Sequence, residues 1–322
     1  MTDSNEAASN DAGSTVTDSN EGLRAELAAL TTESVHSHLP PLESMDTLAL
    51  VSAMNAEDAK VPAAIRGSLD MIAAAIDAVA ARLARGGRLI YVGAGTPGRL
   101  GVLDASECPP TFGTDPAMVQ GIMAGGERAF RSAVENAEDD AAAGAADIRA
   151  LHIGEADAVV GISASGRTPY VLAALQAARQ EGALTVGLSC NARSPLGAAA
   201  DIPIEIEAGP EFVTGSTRLK AGTVQKLVLN MISTISMVRL GKTYGSLMVD
   251  LKATNAKLRA RSERTVIQAT GADPARAAAA LAATGGSVKA AILVVLTGLS
   301  AEEAATALDR HSGHLGAAIR GY

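Results

Sequence analysis

A chain of 322 residues, 48% of them hydrophobic, is long enough for one large or two modest domains and can fill a sizeable core. With 27 Lys and Arg against 35 Asp and Glu the net charge is −8, and aromatic residues make up only 2% with no Trp, so neither the charge nor the stacking surface of a nucleic-acid partner is provided for. Cys108 and Cys190 form no CxxC or metal-ligand spacing and are too few for a disulfide framework, which predicts two reduced thiols, no metal site and a cytoplasmic location.

Residues 1–22 have neither a basic n-region nor an apolar h-region and read as a disordered acidic tail. From Met45 to Leu83, Leu48, Val51, Met54, Ile65, Leu69, Ile72, Ile76 and Val79 recur at helical spacing, with Asn55 and Asp58 placed like a helix start. Two or three helices are therefore predicted before Gly86-Gly87 stops the last of them. The β-branched run RLIYVG (Arg88 to Gly93) then reads as a strand opening onto a glycine-rich loop. Four further apolar runs, at residues 118–125, 157–163, 184–190 and 201–207, alternate with helical stretches, and that alternation predicts an α/β fold with a parallel sheet. Ligands of such sheets sit beyond the carboxyl ends of the strands, which directs attention to the loops after Val92 and Ile162. Thr217 to Leu240 forms a long amphipathic pattern stopped by Gly241. Beyond it come short Ala-rich helices, one opening Asp273-Pro274 and one with a Ser300/Glu303 capping box. The apolar run from Ala290 to Leu299 is far short of the roughly 20 residues a membrane span needs, so a buried helix and no membrane partner are expected.

Two of the loops share one chemistry. GAGTPG (Gly93 to Gly98) leaves a strand and enters a helix, so its backbone N–H groups and the helix dipole converge on a point suited to an anion, with Gly95, Thr96, Gly98 and Arg99 as candidate contacts. The same residues satisfy GxGxxG, but the acidic residue that a dinucleotide site wants after the second strand is missing. SASGRTP (Ser163 to Pro169) supplies Ser163, Ser165, Gly166, Arg167 and Thr168 after another strand, and TGSTRLK (Thr214 to Lys220) supplies Ser216, Thr217 and Lys220 at the start of the long helix. Any one loop could be an ordinary hydroxyl-capped helix start. Three of them favour a sugar phosphate.

These loops, with DASECPPTFG (Asp104 to Gly113), VENAED (Val134 to Asp139) and VTGSTRLKAGTVQKLVLNM (Val213 to Met231), resemble the N-acetylmuramic acid 6-phosphate etherases over residues 31–322. The resemblance implies an α/β fold of the sugar isomerase (SIS) group, a three-layer sandwich whose parallel sheet is flanked by helices, over residues 23–270. It further implies a small all-helical, UBA-like module over 271–322, a homodimer, and neither a metal nor an organic cofactor. The implied activity is that of a lyase in peptidoglycan recycling, converting N-acetylmuramic acid 6-phosphate and water into N-acetylglucosamine 6-phosphate and D-lactate. Carried onto this sequence, Glu107 is the proton donor and Glu138 the second catalytic carboxylate. Elimination across C2 and C3 needs a base at C2 and an acid at the leaving oxygen, so two carboxylates with divergent pKa values suit it. Glu107, read as lying in a proline-bounded apolar turn, would be kept protonated by desolvation. Without the resemblance, Glu138 reads as one of a solvated acidic run.

The chain departs from the family in three places: GAGTPG for GAGTSG, CNARS (Cys190 to Ser194) for CNPGS, and no Arg-Asn-Pro near TESVHS (Thr32 to Ser37). Pro97 deletes a hydroxyl and an N–H from the first loop, leaving Thr96 to cap the helix and shifting more of the phosphate's hydrogen bonds to SASGRT. His36, His38, His152, His311 and His314 read as surface or packing residues. A phosphosugar-sensing regulator and an aldose–ketose isomerase remain as alternatives on the same fold.

Overall fold

The computed structural model describes residues 24, 27, 28, 30–132, 134–251, 253 and 255–322, and the acidic tail expected over 1–22 lies outside the described residues. Helix α1 spans Thr47–Asp58, and Asp46 starts it by accepting a hydrogen bond from the Ala49 N–H. Asn55 and Asp58, expected at a helix start, instead lie in its last turn, because the next helix, α2 (Val61–Ile65), begins with a proline in its first turn and needs no side-chain cap. Helix α3 (Leu69–Leu83) ends where Gly86 takes φ 83° and the Gly87 N–H reaches back to the Arg82 carbonyl, as the two glycines predict.

Five strands follow: β1 (Leu89–Gly93), β2 (Val119–Met123), β3 (Ala158–Ser163), β4 (Leu184–Ser189) and β5 (Ile202–Glu205). They form one parallel sheet in the order β2-β1-β3-β4-β5, with Leu89 opposite both Val119 and Ala158. All five were legible as apolar runs. Helix α4 (Gly95–Phe112) packs Ala105, Cys108 and Phe112 on one face of the sheet together with Ile72 and Ile76 of α3. After the short α5 (Arg128–Arg131), helices α6 (Ala141–Ala150) and α7 (Pro169–Gln180) cover the other face with Ile148, Tyr170, Val171 and Leu175. The chain leaves β1 sideways to β2 and returns to β3 on the opposite flank, so the loops after β1 and β3 run to opposite faces and open a crevice between them.

The SECPPT run is not a turn. Helix α4 continues through Pro109 and Pro110 to Gly113, whose φ of 62° ends it. Interior prolines cost a helix about 3 kcal/mol, but Ala105, Cys108 and Phe112 recur at helical spacing against the core, and that burial outweighs the loss. After α8 (Pro195–Ala199), the long helix α9 starts at Lys220 rather than Thr217 and runs to Arg239, laying Val224, Val228 and Ile232 into the α3–α4 face.

A small hairpin, β6 (Thr243–Tyr244) and β7 (Leu247–Met248), leads to α10 (Ala256–Thr270), α11 (Pro274–Ala283), α12 (Val288–Thr297), α13 (Ala301–Arg310) and α14 (Leu315–Arg320). The Asp273 cap and the Ser300/Glu303 capping box are both formed. Val249 and Val266 share a core with Ile292, Leu293, Leu308 and Leu315, so α10 packs with the C-terminal helices. Asp250 lies between Lys242 at 3.0 Å and the buried Lys289 at 2.7 Å, tying this module to the end of α9. Among the described residues no single helix is long and apolar enough to cross a membrane.

Candidate functional site

The turn from β1 into α4 is closed by glycines. A Cβ on Gly93 would meet the Gly98 nitrogen at 2.6 Å, and one on Gly98 would meet the Met123 Cβ at 2.6 Å, so Gly98 is a packing residue as much as a ligand contact. Ala94, not Thr96, is the N-cap, and no side chain caps α4; Gly95 (φ 59°) opens the helix and is exposed. The first four N–H groups of a helix lack intrahelical partners, so Pro97, in the first turn, subtracts one donor from this helix end.

Beside this helix end lies a pocket of about 260 Å³ that unites Gly95 and Arg99 with Glu138 and Asn136. Glu138 sits on a short 3-10 helix, Ala137–Asp139, entered through Asn136 in the left-handed region (φ 60°). The Arg99 guanidinium is turned sideways: Nη2 donates to the Ala129 carbonyl at 2.6 Å and Nε to that of Phe130 at 3.4 Å.

Ser163 is buried and absorbed by its own loop, its hydroxyl 2.8 Å from that of Thr168 and accepting from the Gly166 N–H at 3.0 Å. Gly166 (φ 71°) comes so close to Ser194 that a Cβ there would meet the serine Cβ at 2.4 Å. Ser165, Arg167 and Thr168 remain half-buried at the carboxyl end of β3, Ser165 accepting from the Arg167 N–H at 3.2 Å.

The third cluster departs most from expectation. Ser216 and Thr217 lie in a turn ahead of α9, and the helix end is occupied by the buried Glu211, whose carboxylate accepts from the Lys220 and Ala221 N–H groups at 2.8 and 2.9 Å. The Lys220 ammonium, expected on the phosphate, is buried against Glu57 at 2.9 Å. Burial pushes Glu57 up, but hydrogen bonds from Lys60 and Lys220, helped by the charges of Lys220 and His36, win and hold it down at about 2. Neither Glu211 nor Glu57 stands at a spacing from Lys220 that a local motif could reveal.

Glu107 is exposed on α4 and lines a separate depression of about 220 Å³ with Asp104, Lys226 and Asn230. It stands eight residues beyond Arg99, about 12 Å along the helix axis, so one chain does not bring it to Glu138. Its exposure also removes the apolar turn that was expected to keep it protonated. Asp104, one turn before it, is buried and accepts from Tyr91 at 2.9 Å, Asn230 at 2.7 Å and Ser233 at 3.1 Å, which fixes α4 against β1 and α9. Burial, with the Asp104 charge, pushes the Tyr91 hydroxyl well above its usual pKa.

The segment after the tail, for which the sequence offered no motif, is tied to the residues that follow β3, β4 and β5. The Thr31 N–H donates to Asn191 Oδ1 at 2.8 Å and its hydroxyl to Glu207 at 2.7 Å, while Asn191 Nδ2 donates to the Thr32 hydroxyl and the Ala164 carbonyl. His36 packs beside Glu57 at 3.8 Å. Among the described residues no group of three or more His, Cys, Asp or Glu side chains is arranged to hold a metal ion.

A parallel sheet with two helix-opening loops at its switch point, one beside a carboxylate pocket, defines an α/β protein of the SIS fold group. The SIS domain profile matches residues 128–235, and that of the glucokinase regulatory protein N-terminal SIS domain matches residues 71–179. Among solved structures the chain is similar to a phosphoheptose isomerase from Francisella tularensis, at 18% identity and a TM-score of 0.47, covering 59% of this chain and 100% of that one. It is 60% identical over 297 residues to the N-acetylmuramic acid 6-phosphate etherase of Streptomyces avermitilis, covering 92% of this chain and 96% of that protein. To the protein of the same name from Serratia proteamaculans it is 56% identical, covering 91% of this chain and 99% of that one. The chain belongs to the N-acetylmuramic acid 6-phosphate etherase family.

Proposed function

We propose that this protein is a carbon–oxygen lyase that cleaves the D-lactyl ether of N-acetylmuramic acid 6-phosphate, giving N-acetylglucosamine 6-phosphate and D-lactate in the cytoplasm during amino-sugar recycling. The observation that carries the reading is 60% identity across 92% of the chain to a protein of that name. The phosphate is assigned to the N-terminal end of α4 and to Ser165, Arg167 and Thr168, with Gly95, Thr96, Ser216 and Thr217 around it; Lys220 supports the site through Glu57 rather than by direct contact.

In the open-chain sugar the C2 hydrogen is α to the aldehyde and the lactyl oxygen on C3 is β to it. Glu138, beside the phosphate end of α4, takes the C2 proton; Glu107 gives a proton to the departing lactyl oxygen; water then adds across the double bond with the roles reversed. Neither metal nor organic cofactor enters these steps. Because Glu107 and Glu138 line separate depressions of one chain, the pairing is assigned to a homodimer in which Glu107 of one copy faces the pocket of the other. Leu103, 54% exposed and lining the same depression as Glu107, supports such packing.

The test is to incubate the purified protein with N-acetylmuramic acid 6-phosphate and assay D-lactate. No release at substantial enzyme concentration would refute the activity. Glu107→Gln is expected to stop lactate release while C2 hydrogen–deuterium exchange continues; unchanged release would refute its role. The match to the glucokinase regulatory protein SIS domain keeps one second reading, a phosphosugar sensor, which predicts tight binding of the substrate without turnover.

A further inference from the structure

Arg99 stands one turn from the phosphate-facing end of α4, yet its guanidinium points along the surface to the end of α5. There it donates to the carbonyls of Ala129 and Phe130, two of the last carbonyls of a four-residue helix, which have no partner within that helix. The chain that carries Glu138 follows α5. It leaves β2 through Gly125 and Gly126, both left-handed at φ 83° and 63°, and turns through Asn136 at φ 60°. Val134 presses on Gly125, where a Cβ would meet it at 2.9 Å, and Ala137 rests on the core under α7. The forked guanidinium ties the rigid helix α4 to the end of α5 through two carbonyls at once, in a fixed planar geometry that a flexible lysine ammonium does not preset.

We propose that Arg99 is a positioning residue: by joining α4 to the end of α5 it sets the place of the Glu138 carboxylate over the pocket floor formed by Ala94 and Gly95. This departs from a phosphate-ligand role for Arg99 and rests on the assignment of Glu138 as the C2 base. The link also makes one rigid turn of helix common to the anion-facing N–H groups and to the base, so the spacing between phosphate and carboxylate is set by α4 rather than by the loop.

The experiment compares wild type, Arg99→Lys and Arg99→Ala for lactate release, C2 hydrogen–deuterium exchange and binding of N-acetylglucosamine 6-phosphate. With Glu138 displaced, kcat and C2 exchange should fall together, about tenfold or more, while KM and the product Kd change less than about threefold. Millimolar guanidinium ion should restore part of the kcat of Arg99→Ala. A tenfold rise in KM and Kd with kcat preserved would make Arg99 a phosphate ligand and overturn the proposal, as would kinetics indistinguishable from wild type. Should Arg99→Ala fail to fold, Arg99→Lys carries the comparison. Amide hydrogen exchange over residues 128–139 reads the anchor without reference to turnover: it should quicken in both variants, and unchanged exchange would overturn the proposal even if the wild type released no lactate.

Discussion

The replacement Glu57→Gln tests how the third loop is held. Lys220 is 1% exposed at its side chain and Glu57 9%, with the ammonium 2.9 Å from the carboxylate, so removing the negative charge strands a cation out of water. Breaking such a pair typically costs about 3–5 kcal/mol. The loss has a ceiling, since a lysine that releases its proton at pH 7 does so at a cost of about 5 kcal/mol. Lys60 also touches Glu57, at 2.6 Å, but its side chain is 61% exposed and contributes little. A loss of about 3 kcal/mol in urea unfolding at pH 7 is therefore expected, and Glu57→Gln combined with Lys220→Met should recover about 2 kcal/mol of it. The pH dependence has a definite sign. Glu57 is depressed to about 2 in the folded chain, so its contribution is complete above the unfolded value near 4.5 and falls as the pH drops toward 2. Each unit in that window removes about 1.4 kcal/mol of the difference between wild type and variant. A difference below about 1 kcal/mol at pH 7, or one that widens below pH 4.5, would refute the reasoning.

Gly166→Ala should destabilise by about 2–4 kcal/mol and abolish phosphosugar binding, because alanine is strained at φ 71° and its methyl would overlap the Ser194 Cβ; a wild-type melting temperature would contradict this. Arg193 adopts φ 53° at the position where the family's CNPGS has glycine, while its N–H holds the Glu205 carboxylate at 2.8 Å. Arg193→Gly should therefore stabilise by about 0.5–1 kcal/mol, read as a higher urea midpoint. Burial pushes Cys108 and Cys190 up to about 12, with Asp104 and Glu211 respectively adding to the shift, so neither thiol should react with iodoacetamide at pH 8 until the chain is unfolded. Ser165→Ala should raise KM more than Thr96→Ala, since Pro97 has already thinned the donors at the first loop; equal effects would argue against that division.

The sheet was readable because each strand is a short apolar run between helical stretches, and in a parallel sheet buried on both faces nothing else is needed to mark a strand. The turn from β1 into α4 was readable for a similar reason: Gly93 and Gly98 are demanded by a close backbone approach that no other residue permits. The placement of charge was less legible. Lys220 looked like a phosphate ligand because its cluster resembles a helix start, but its carboxylate partner stands 163 residues away on α1. Glu107 looked buried because two prolines suggest a turn, whereas the helical recurrence of Ala105, Cys108 and Phe112 carries the chain straight through them and leaves Glu107 on the outer face. Local pattern reports the backbone well; the partner of a charge is a property of the assembled fold.

The attachment of Thr31 and Thr32 to residues beyond β4 and β5 has a consequence for how the protein is made. Their partners Asn191 and Glu207 lie 160 and 176 residues later, so this segment leaves the ribosome well before the groups that hold it. At about 5–20 residues per second, the interval is on the order of 10 s. During that time α1 and the Thr31–Thr32 segment are exported without the sheet that receives them. A nascent chain halted before β5 would have Asn191 to receive Thr31 and Thr32 but would lack Glu207, leaving the Thr31 hydroxyl without its partner.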